Sequence, residues 1–424
     1  MALDLATQIP LPARAAVGEL AVDAVTLASR SAAALVHASP ATPDPTRVAV
    51  AFSSERWFRI DGVRPAAFAP LSGFFRTADG WVRTHGNYPH HAAALRSALL
   101  LSTEAGSEET AAALARRAAD EVSAQVTALG GLCVPVSLED SAADAVLRAT
   151  PLVQISRLRS APPVPAPVPA DAATPLHGVR VLDLTRVIAG PIATRTLALL
   201  GADVLRVDPP HLPEIGWQHL DTGHGKRSTL LDLSSARGRA RFDELLATAD
   251  IVALGYRPAA LRRLGLSPEA LAARRPGLIV LQHSAWGDAD ARGFDSLVQA
   301  ATGIAWLESS DGVTPGALPA QALDHTTGYL LAAAAMDLLR RRADEGGSWL
   351  ATTSLRRVAA ELLGMPRAAA PASFAPLDAT GHIQTFRVEG TDVTTAAPAI
   401  AYAGAPAAFA PPRPWGADAP RWQD

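Results

Sequence analysis

The chain has 424 residues and a formal net charge of −3 at neutral pH. This slightly acidic balance argues against nucleic acid as a partner, because nucleic-acid binding usually requires a basic face. The single cysteine, Cys133, excludes an internal disulfide framework and a cysteine-rich zinc site.

The apolar segments of the chain are short. The run at residues 330–339 is interrupted by Asp337, whereas a membrane-spanning helix needs about 20 apolar residues. Residues 1–4 lack the basic segment that begins a secretory signal peptide. We therefore expect a soluble cytoplasmic protein without a membrane partner.

A proline-rich segment at residues 162–169 marks the clearest boundary in the chain. Proline at this density favours extended polyproline II structure and forms a semi-rigid spacer. We predict a linker at 157–174 that follows a small α+β region at 1–156. A larger domain at 175–365 and an extended tail at 366–424 complete the prediction.

The region before the linker contains both strand-like and helix-like segments. Asp79-Gly80 is a strong turn signal, and a proline such as Pro89 is favoured in a first helical turn. Gly130-Gly131 can end a helix. The elements predicted here are a strand at 47–52, a strand at 81–83, a helix after Pro89, a helix at 111–129 and a strand at 132–136.

Strands and helices alternate in the larger domain. The predicted strands are 179–184, 204–207, 230–233, 251–254 and 278–281, and the predicted helices are 192–200, 236–248, 268–274 and 326–342. Such alternation favours a parallel sheet with right-handed crossovers. The predicted fold class is therefore α/β, with a Rossmann-like parallel sheet and a smaller α+β domain.

Residues 182–208 form a strand–turn–helix–strand unit, which places a ligand at its first turn. A dinucleotide-binding fold needs G-x-G-x-x-G at this turn, but residues 186–191 contain one glycine, Gly190. Asp208 ends the second strand, where a dinucleotide fold places its ribose-binding acid. Without the glycines, this match does not predict a nicotinamide cofactor.

The same unit resembles the opening of the class III CoA-transferases, the family of formyl-CoA and carnitine-CoA transferases. The family pattern is L-D-x-T/S, here 182–185, then A-G-P, here 189–191, then L-G-A-D-V-x-x-V-E, here 200–208 with aspartate at the end. Three further blocks follow in the family's order: K-R-S…L-D-L at 226–233, F-R-P…R-L-G at 256–265 with tyrosine first, and G-x-D…Q-A…G at 293–303. Four ordered blocks are more specific than any one of them.

The region before the linker shows a weaker resemblance. Residues 79–87 and 131–136 are similar to segments of the family's small domain, which usually follows the CoA-binding region. Here they precede it, so the chain resembles a family member with rearranged domain order. The resemblance implies that the Rossmann-like domain binds CoA and that the protein is a homodimer.

Asp295 matches the position of the family's nucleophile. The resemblance implies an enzyme that moves CoA from an acyl-CoA to a carboxylic acid through a covalent aspartyl intermediate. The alternative for Asp295 is an ordinary helix cap or a solvated acid.

Other residues match the family's CoA-binding positions. The resemblance places Arg263, Arg257 and Lys226 on the nucleotide side, where arginine suits bidentate phosphate contacts. The backbone at Val187, Ile188 and Ala189 would line the turn against CoA. The alternatives are solvated surface charge for the cations and plain packing for the turn residues. CoA is expected as a substrate, and no resident cofactor is expected.

Two other functions remain open from the sequence. The rearranged order is compatible with a protein that binds CoA esters without turning them over. The superfamily also contains 2-methylacyl-CoA racemases, which use a histidine at the position of Phe294 and a downstream acid, for which Asp324 could stand in. Phenylalanine cannot transfer a proton, which argues against racemisation.

Three histidines, His85, His90 and His91, lie close together in the sequence. Histidines can bind zinc, but no cysteine accompanies them and their spacing suits no standard site. We expect no metal site and assign these residues to the surface or to the lining of the CoA site.

Overall fold

The computed structural model describes residues 9–287 and 290–423. The strands are β1 (Arg59–Ile60), β2 (Phe74–Arg76), β3 (Trp81–Thr84), β4 (Cys133–Pro135), β5 (Gln154–Arg159), β6 (Arg180–Leu184), β7 (Asp203–Asp208), β8 (Arg227–Leu230), β9 (Ile251–Leu254), β10 (Ile279–Ser284), β11 (Ser348–Ser354), β12 (Ile383–Val388) and β13 (Thr391–Ala396). The helices are α1 (Val17–Leu35), α2 (Pro45–Phe52), α3 (Ser54–Trp57), α4 (Pro89–Ala98), α5 (Ser107–Leu114), α6 (Ala119–Ala128), α7 (Ser141–Arg148), α8 (Ala189–Leu199), α9 (Gly216–Thr222), α10 (Ala236–Leu246), α11 (Pro258–Arg263), α12 (Pro268–Arg274), α13 (Asp295–Ala301), α14 (Ile304–Leu307), α15 (Ala322–Glu345) and α16 (Leu355–Gly364).

A seven-stranded sheet organises the fold, with the strand order β5-β11-β10-β9-β6-β7-β8. All neighbours are parallel except β5, which runs antiparallel to β11. The strand order changes direction between β6 and β9. In open α/β sheets, ligands bind in the crevice outside the carboxyl ends of the strands at such a switch point. The predicted α/β fold with a Rossmann-like sheet is confirmed.

Helices cover both faces of this sheet. Val181 and Val204 pack into one core with residues of α1, α8, α15 and α16. Leu182 and Leu205, the next residues along the same strands, pack into a second core with α10 and α12. Side chains alternate between the faces of a strand, so strands buried on both faces read as continuous apolar runs. None of the described helices is both long and apolar enough to cross a membrane.

The region before the linker differs from its prediction in two places. Residues 47–52, predicted as a strand, belong to helix α2, because Asp44 accepts a hydrogen bond from the Arg47 backbone N–H and Pro45 occupies the first turn. The single helix predicted at 111–129 is two helices, α5 and α6, separated at 115–118. Strands β2, β3 and β4 form a small antiparallel sheet that packs against α4 and α6.

The predicted domain boundaries stay a prediction, but packing crosses them. Strand β5 spans residue 156 and completes the edge of the large sheet, and α1 packs against α15. The tail predicted as extended from residue 366 contains the β12–β13 hairpin, and β13 pairs with β1. The strand predicted at 230–233 lies earlier, at β8.

A buried ion network fixes the turn after β6. Arg206 of β7 is 1% exposed, and its guanidinium pairs with Asp208 at 2.7 Å and with the Glu214 carboxylate at 2.9 Å. The same Glu214 carboxylate accepts hydrogen bonds from the Val187 backbone N–H at 3.1 Å and from the Tyr88 hydroxyl at 2.6 Å. One carboxylate therefore joins β7, the turn after β6 and the segment before α4.

The pKa of Glu214 reflects this network. Burial alone would raise it, but the neighbouring cations, Arg206 first and then Arg186, outweigh burial and lower the pKa from 4.5 to about 2. Because the folded-state pKa lies below the unfolded value, the resulting stabilisation is complete above about pH 5 and is lost as the pH falls through 4.5 toward 2.

We predict that Glu214→Gln lowers the free energy of unfolding at pH 7 by about 3 kcal/mol, because it leaves Arg206 without its full counter-charge. The difference from wild type shrinks between pH 5 and pH 3, since the Glu214 carboxyl group of the unfolded wild-type chain becomes protonated there while that of the folded protein stays ionised. Urea unfolding at pH 7, 5 and 3 measures both effects. Glu345→Gln, which removes an exposed carboxylate, is the matched control and changes stability by less than about 0.5 kcal/mol. A pH-independent difference for Glu214→Gln would contradict this account.

Close packing of α8 against α15 also depends on one glycine. A Cβ atom at Gly328 would lie 2.6 Å from the Ile192 Cβ and 2.7 Å from the Ala189 carbonyl oxygen. These distances are shorter than any normal contact, so the helices can approach this closely only with glycine at that position. Ala189 begins α8. The contact between Gly328 and Ala189 therefore helps to position the turn that precedes α8.

Gly328→Ala is expected to lower the free energy of unfolding by about 1–2 kcal/mol, because the overpacking cost exceeds the gain in helix propensity. Gly216→Ala is the control, since its Cβ would meet no atom within 4 Å in α9. Denaturant unfolding of both variants measures the effect. Equal stabilities for the two variants would show that the α8–α15 contact is not tight in solution.

Candidate functional site

A cavity of about 290 Å³ opens at the carboxyl ends of β6, β9 and β10, at the switch point of the sheet. We call it the crevice cavity. The residues that define it are Val187, Ala189, Gly255, Arg257, Arg292 and Phe294. Ligands of open α/β sheets bind at this position.

A second cavity of about 320 Å³ adjoins the first and lies under the small antiparallel sheet. We call it the inner cavity. The residues that define it are Phe68, Phe74, Arg83, Ile188, Asp295 and Gln299. Tyr88, Val187, Phe294 and Asp324 line both cavities, so the two spaces meet at these residues.

The turn between β6 and α8 forms part of the wall of the crevice cavity and part of the wall of the inner cavity. Val187 has a φ of +70°, a conformation that β-branched residues rarely adopt, and its N–H is held by Glu214. A Cβ at Gly190 would lie 2.4 Å from the Thr185 Cβ, which explains the glycine at this position. The single glycine therefore permits close packing of strand and helix rather than contact with a pyrophosphate.

Asp295 begins α13 and is 1% exposed. Its carboxylate accepts hydrogen bonds from the Asp324 backbone N–H at 2.9 Å and from the Gln299 side-chain amide. The amide is oriented because its oxygen accepts a hydrogen bond from the Leu318 N–H. Burial raises the pKa of Asp295 to about 6, although these donors and the charge of Arg83 oppose the rise. Asp295 is therefore ionised at neutral pH and is a weaker acid than an exposed aspartic acid.

The Asp324 carboxyl group faces the same space. Burial, and then the charge of Asp295, raises the pKa of Asp324 well above its ordinary value. Two interacting carboxyl groups in a buried site do not both ionise easily. Of the two, Asp295 is the more readily ionised carboxyl group, because its hydrogen-bond donors and the charge of Arg83 oppose the rise of its pKa.

An aromatic stack lies where the two cavities meet. The rings of His85 and Phe294 are parallel, with centroids 3.7 Å apart, and His91 meets Phe294 edge-on. Burial lowers the pKa of both histidines to about 3, so both are neutral at pH 7. The sequence pattern did not indicate that His85 contacts the G-x-D segment. In the described part of the chain, no three His, Cys, Asp or Glu side chains cluster closely enough to hold a metal ion.

Two arginines carry positive charge at the crevice cavity. Arg257 and Arg292 both line it, and burial, followed by the charge of Arg257, lowers the pKa of Arg292. Arg292 donates to the Gly130 carbonyl at 2.7 Å, and neither arginine forms a salt bridge with a carboxylate of residues 9–287 or 290–423. Two close cations of this kind suit an anion such as a phosphate. The sequence analysis missed Arg292, which immediately precedes the G-x-D segment.

The structure brings together most of the residues predicted from the sequence. Those that line the two adjoining cavities are Val187, Ile188, Ala189, Arg257 and Asp295. Each of them comes from a loop or helix start that follows a strand of the large sheet. The family resemblance therefore pointed to residues that the fold brings to these two cavities.

The other two predicted residues lie elsewhere. Lys226 is 2% exposed, and its ammonium group donates to Asp183 at 3.0 Å, to Thr194 at 2.7 Å and to the Pro191 carbonyl at 2.9 Å. Because an ammonium group has three donors, none remains for a phosphate. Lys226 instead joins Asp183 of β6 to Pro191 and Thr194 of α8. Arg263 is exposed on α11 and lines neither cavity. Neither position supports the CoA-binding role that the resemblance implied, which stays a prediction for both residues.

Comparison with known proteins identifies the family. The probable fatty acyl-CoA transferase Rv3272 of Mycobacterium tuberculosis is 31% identical over 194 residues, which cover 42% of this chain and 49% of the relative. Acetyl-CoA:oxalate CoA-transferase of Acetobacter aceti is 36% identical over 151 residues, which cover 32% and 39% of the two chains. A crystal structure of Rv3272 matches 45% of this chain and 57% of that one, with a TM-score of 0.42 and 32% identity.

The chain spans about half of the length of the first of these curated relatives and less of the second. The sequence profile of CoA-transferase family III, in contrast, matches residues 176–405. That match covers more than half of the chain and includes the turn after β6, Asp295 and Asp324. The protein therefore belongs to CoA-transferase family III.

Proposed function

We propose that this protein transfers coenzyme A from an acyl-CoA thioester to a carboxylic acid through a covalent intermediate on Asp295. The observation that carries the proposal is the position of Asp295, a buried carboxylate held by oriented donors in the inner cavity, next to Phe294, which lines both cavities. Relatives named as transferases of fatty acyl-CoA and of acetyl-CoA with oxalate support the reaction class. CoA serves as substrate, with no resident cofactor.

The crevice cavity suits the coenzyme. Arg257 and Arg292 supply positive charge for its phosphates, and the backbone at Val187 and Ala189 lines the path toward Phe294. The thioester carbonyl would then pass Phe294 and reach Asp295 in the inner cavity. The inner cavity remains for the acyl group or the acid. This arrangement keeps the charged part of the coenzyme on the open side of the site.

The chemistry requires only carboxylates and a thiol. An oxygen of Asp295 attacks the thioester carbon, the C–S bond breaks, and a mixed anhydride and CoA thiolate form. The thiolate attacks the Asp295 carbonyl carbon, which releases the donor acid and gives an aspartyl–CoA thioester. The acceptor carboxylate attacks that thioester, the C–S bond breaks, and a second anhydride and CoA thiolate form. The thiolate then attacks the acceptor's carbonyl carbon, which regenerates Asp295 and releases the new acyl-CoA.

Neighbouring groups support these steps. Burial makes Asp295 a more basic, and hence more nucleophilic, carboxylate than an exposed aspartate while leaving it ionised at neutral pH. The raised pKa of Asp324, which lines both cavities, favours its protonated form, whose O–H can donate to developing negative charge. The family likeness also leads us to propose a cytoplasmic homodimer.

We expect Asp295→Asn to reduce CoA transfer by at least about 10³-fold, because an amide cannot form the anhydride. Transfer is followed as exchange of radiolabel between a panel of acyl-CoA donors and their free acids, with hydroxylamine added to trap the activated aspartyl group. Asp344→Asn, which changes an exposed aspartate of α15, is the control. A wild-type rate in Asp295→Asn, with no hydroxylamine adduct on Asp295 in the wild type, would refute the covalent step. Tight CoA binding without any exchange would instead identify a binding protein.

Arg292→Ala is expected to raise the KM for acyl-CoA about tenfold with little change in kcat, because a phosphate contact contributes to binding rather than to the chemical step. Arg263→Ala, which removes a cation outside both cavities, should leave the KM unchanged. Initial-rate kinetics with the donor that the wild type uses best compares the two variants. A larger effect of Arg263→Ala would place the coenzyme outside the crevice cavity.

A further inference from the structure

Arg83 is a buried cation that no carboxylate of the described residues pairs with directly. It belongs to β3 and is 8% exposed, yet its Nε has no hydrogen-bond partner. Among the described residues, no carboxylate forms a salt bridge with its guanidinium. Buried charges in proteins are normally paired, because removal of an ion from water is costly. An unpaired arginine at this depth indicates that its partner is a ligand.

Two aromatic rings hold this side chain in place. The guanidinium carbon of Arg83 lies 5.0 Å from the ring centroid of Phe68 and 4.8 Å from that of Phe74. Phe74 is also the cross-strand neighbour of Arg83 in the small sheet. Contacts with ring faces orient a guanidinium but do not satisfy its N–H donors. The side chain is therefore positioned in advance with its donors available to the inner cavity.

The surroundings of Arg83 in the inner cavity are positive. Arg56 and Arg64 line the same cavity, and neither forms a salt bridge with a carboxylate in the described ranges. Glu55 also lines it, but burial raises the pKa of Glu55 to about 7, so that its charge is only partial at neutral pH. Burial lowers the pKa of Arg83 to about 10, which still leaves the guanidinium charged. The cavity therefore offers more positive charge than Asp295 alone balances.

The charge of Arg83 suits an anionic group that does not react better than it suits the carboxylate that attacks the thioester. A carboxylate that attacks the aspartyl–CoA thioester must present an oxygen with available electron density. A bidentate pair with arginine would hold both oxygens and reduce their nucleophilicity. An acid with two carboxylates avoids this conflict, because one can bind Arg83 while the other approaches Asp295.

We propose that Arg83 binds the second, non-reacting carboxylate of a short dicarboxylic acid, and that the inner cavity is the subsite for this acid. The proposal rests on the transfer function proposed above, which supplies the reacting carboxylate and Asp295. It makes Arg83 a specificity-determining residue. It also assigns a role to the small antiparallel sheet, which holds the arginine and one of its two aromatic neighbours.

Succinate and butyrate form a matched pair of probes, because butyrate is succinate with one carboxylate replaced by a methyl group. Calorimetric titration of the full chain should show that succinate binds at least about tenfold more tightly than butyrate. In Arg83→Met this preference should fall to about one, and Arg83→Lys should retain part of it because the charge remains. Arg76→Met, which changes an exposed arginine of the same sheet, should keep the full preference.

Titration with coenzyme A tests whether each variant is folded. Arg83 does not line the crevice cavity, so a folded variant should bind coenzyme A as the wild type does. The proposal is overturned if the wild type does not prefer succinate, or if the preference survives in Arg83→Met. It is also overturned if Arg83→Met weakens binding of both acids equally, which would mean that Arg83 acts only through Asp295. These measurements need no turnover, so a failure of the transfer function would appear separately, as an absence of label exchange with the succinate preference intact.

Discussion

The site depends on the buried carboxylate of Glu214. This one group forms an ion pair with Arg206 inside the protein and accepts a hydrogen bond from the Tyr88 hydroxyl. It also accepts a hydrogen bond from the Val187 backbone N–H, which holds Val187 in a conformation that this residue type rarely adopts. Its pKa of about 2 shows that the favourable contacts outweigh the cost of burial. Because the three contacts come from separate parts of the chain, Glu214 ties the turn of the large sheet to the region that carries the small one.

The sequence predicted the Rossmann-like part well for a physical reason. Strands buried on both faces are continuous apolar runs, and the segments 179–184, 204–207 and 251–254 all lie within or next to observed strands. Residues 47–52 were misjudged because a short apolar run fits a strand and a helix equally well. The cap at Asp44 and Pro45 decides between them.

The residues of the site were predicted unevenly. A motif shows that Lys226 stands at a given position, but it does not show whether the ammonium group faces a ligand or the Asp183 carboxylate. Arg83 could not be found from spacing, because it lies more than two hundred residues before Asp295 and shares a cavity with it only through the fold. Chain order therefore matters less to this site than the placement of the small sheet beside α13.

The edge strand β5 has a consequence for how the protein folds. It pairs with β11, so that Gln154 lies opposite Thr352, and α1 likewise packs against α15 from the far end of the chain. Contacts between such distant segments require closure of long loops, which slows folding. During synthesis the apolar face of α1 cannot be buried against α15 until the second half of the chain has emerged. The topology therefore leaves that apolar surface exposed to solvent until most of the chain has been synthesised.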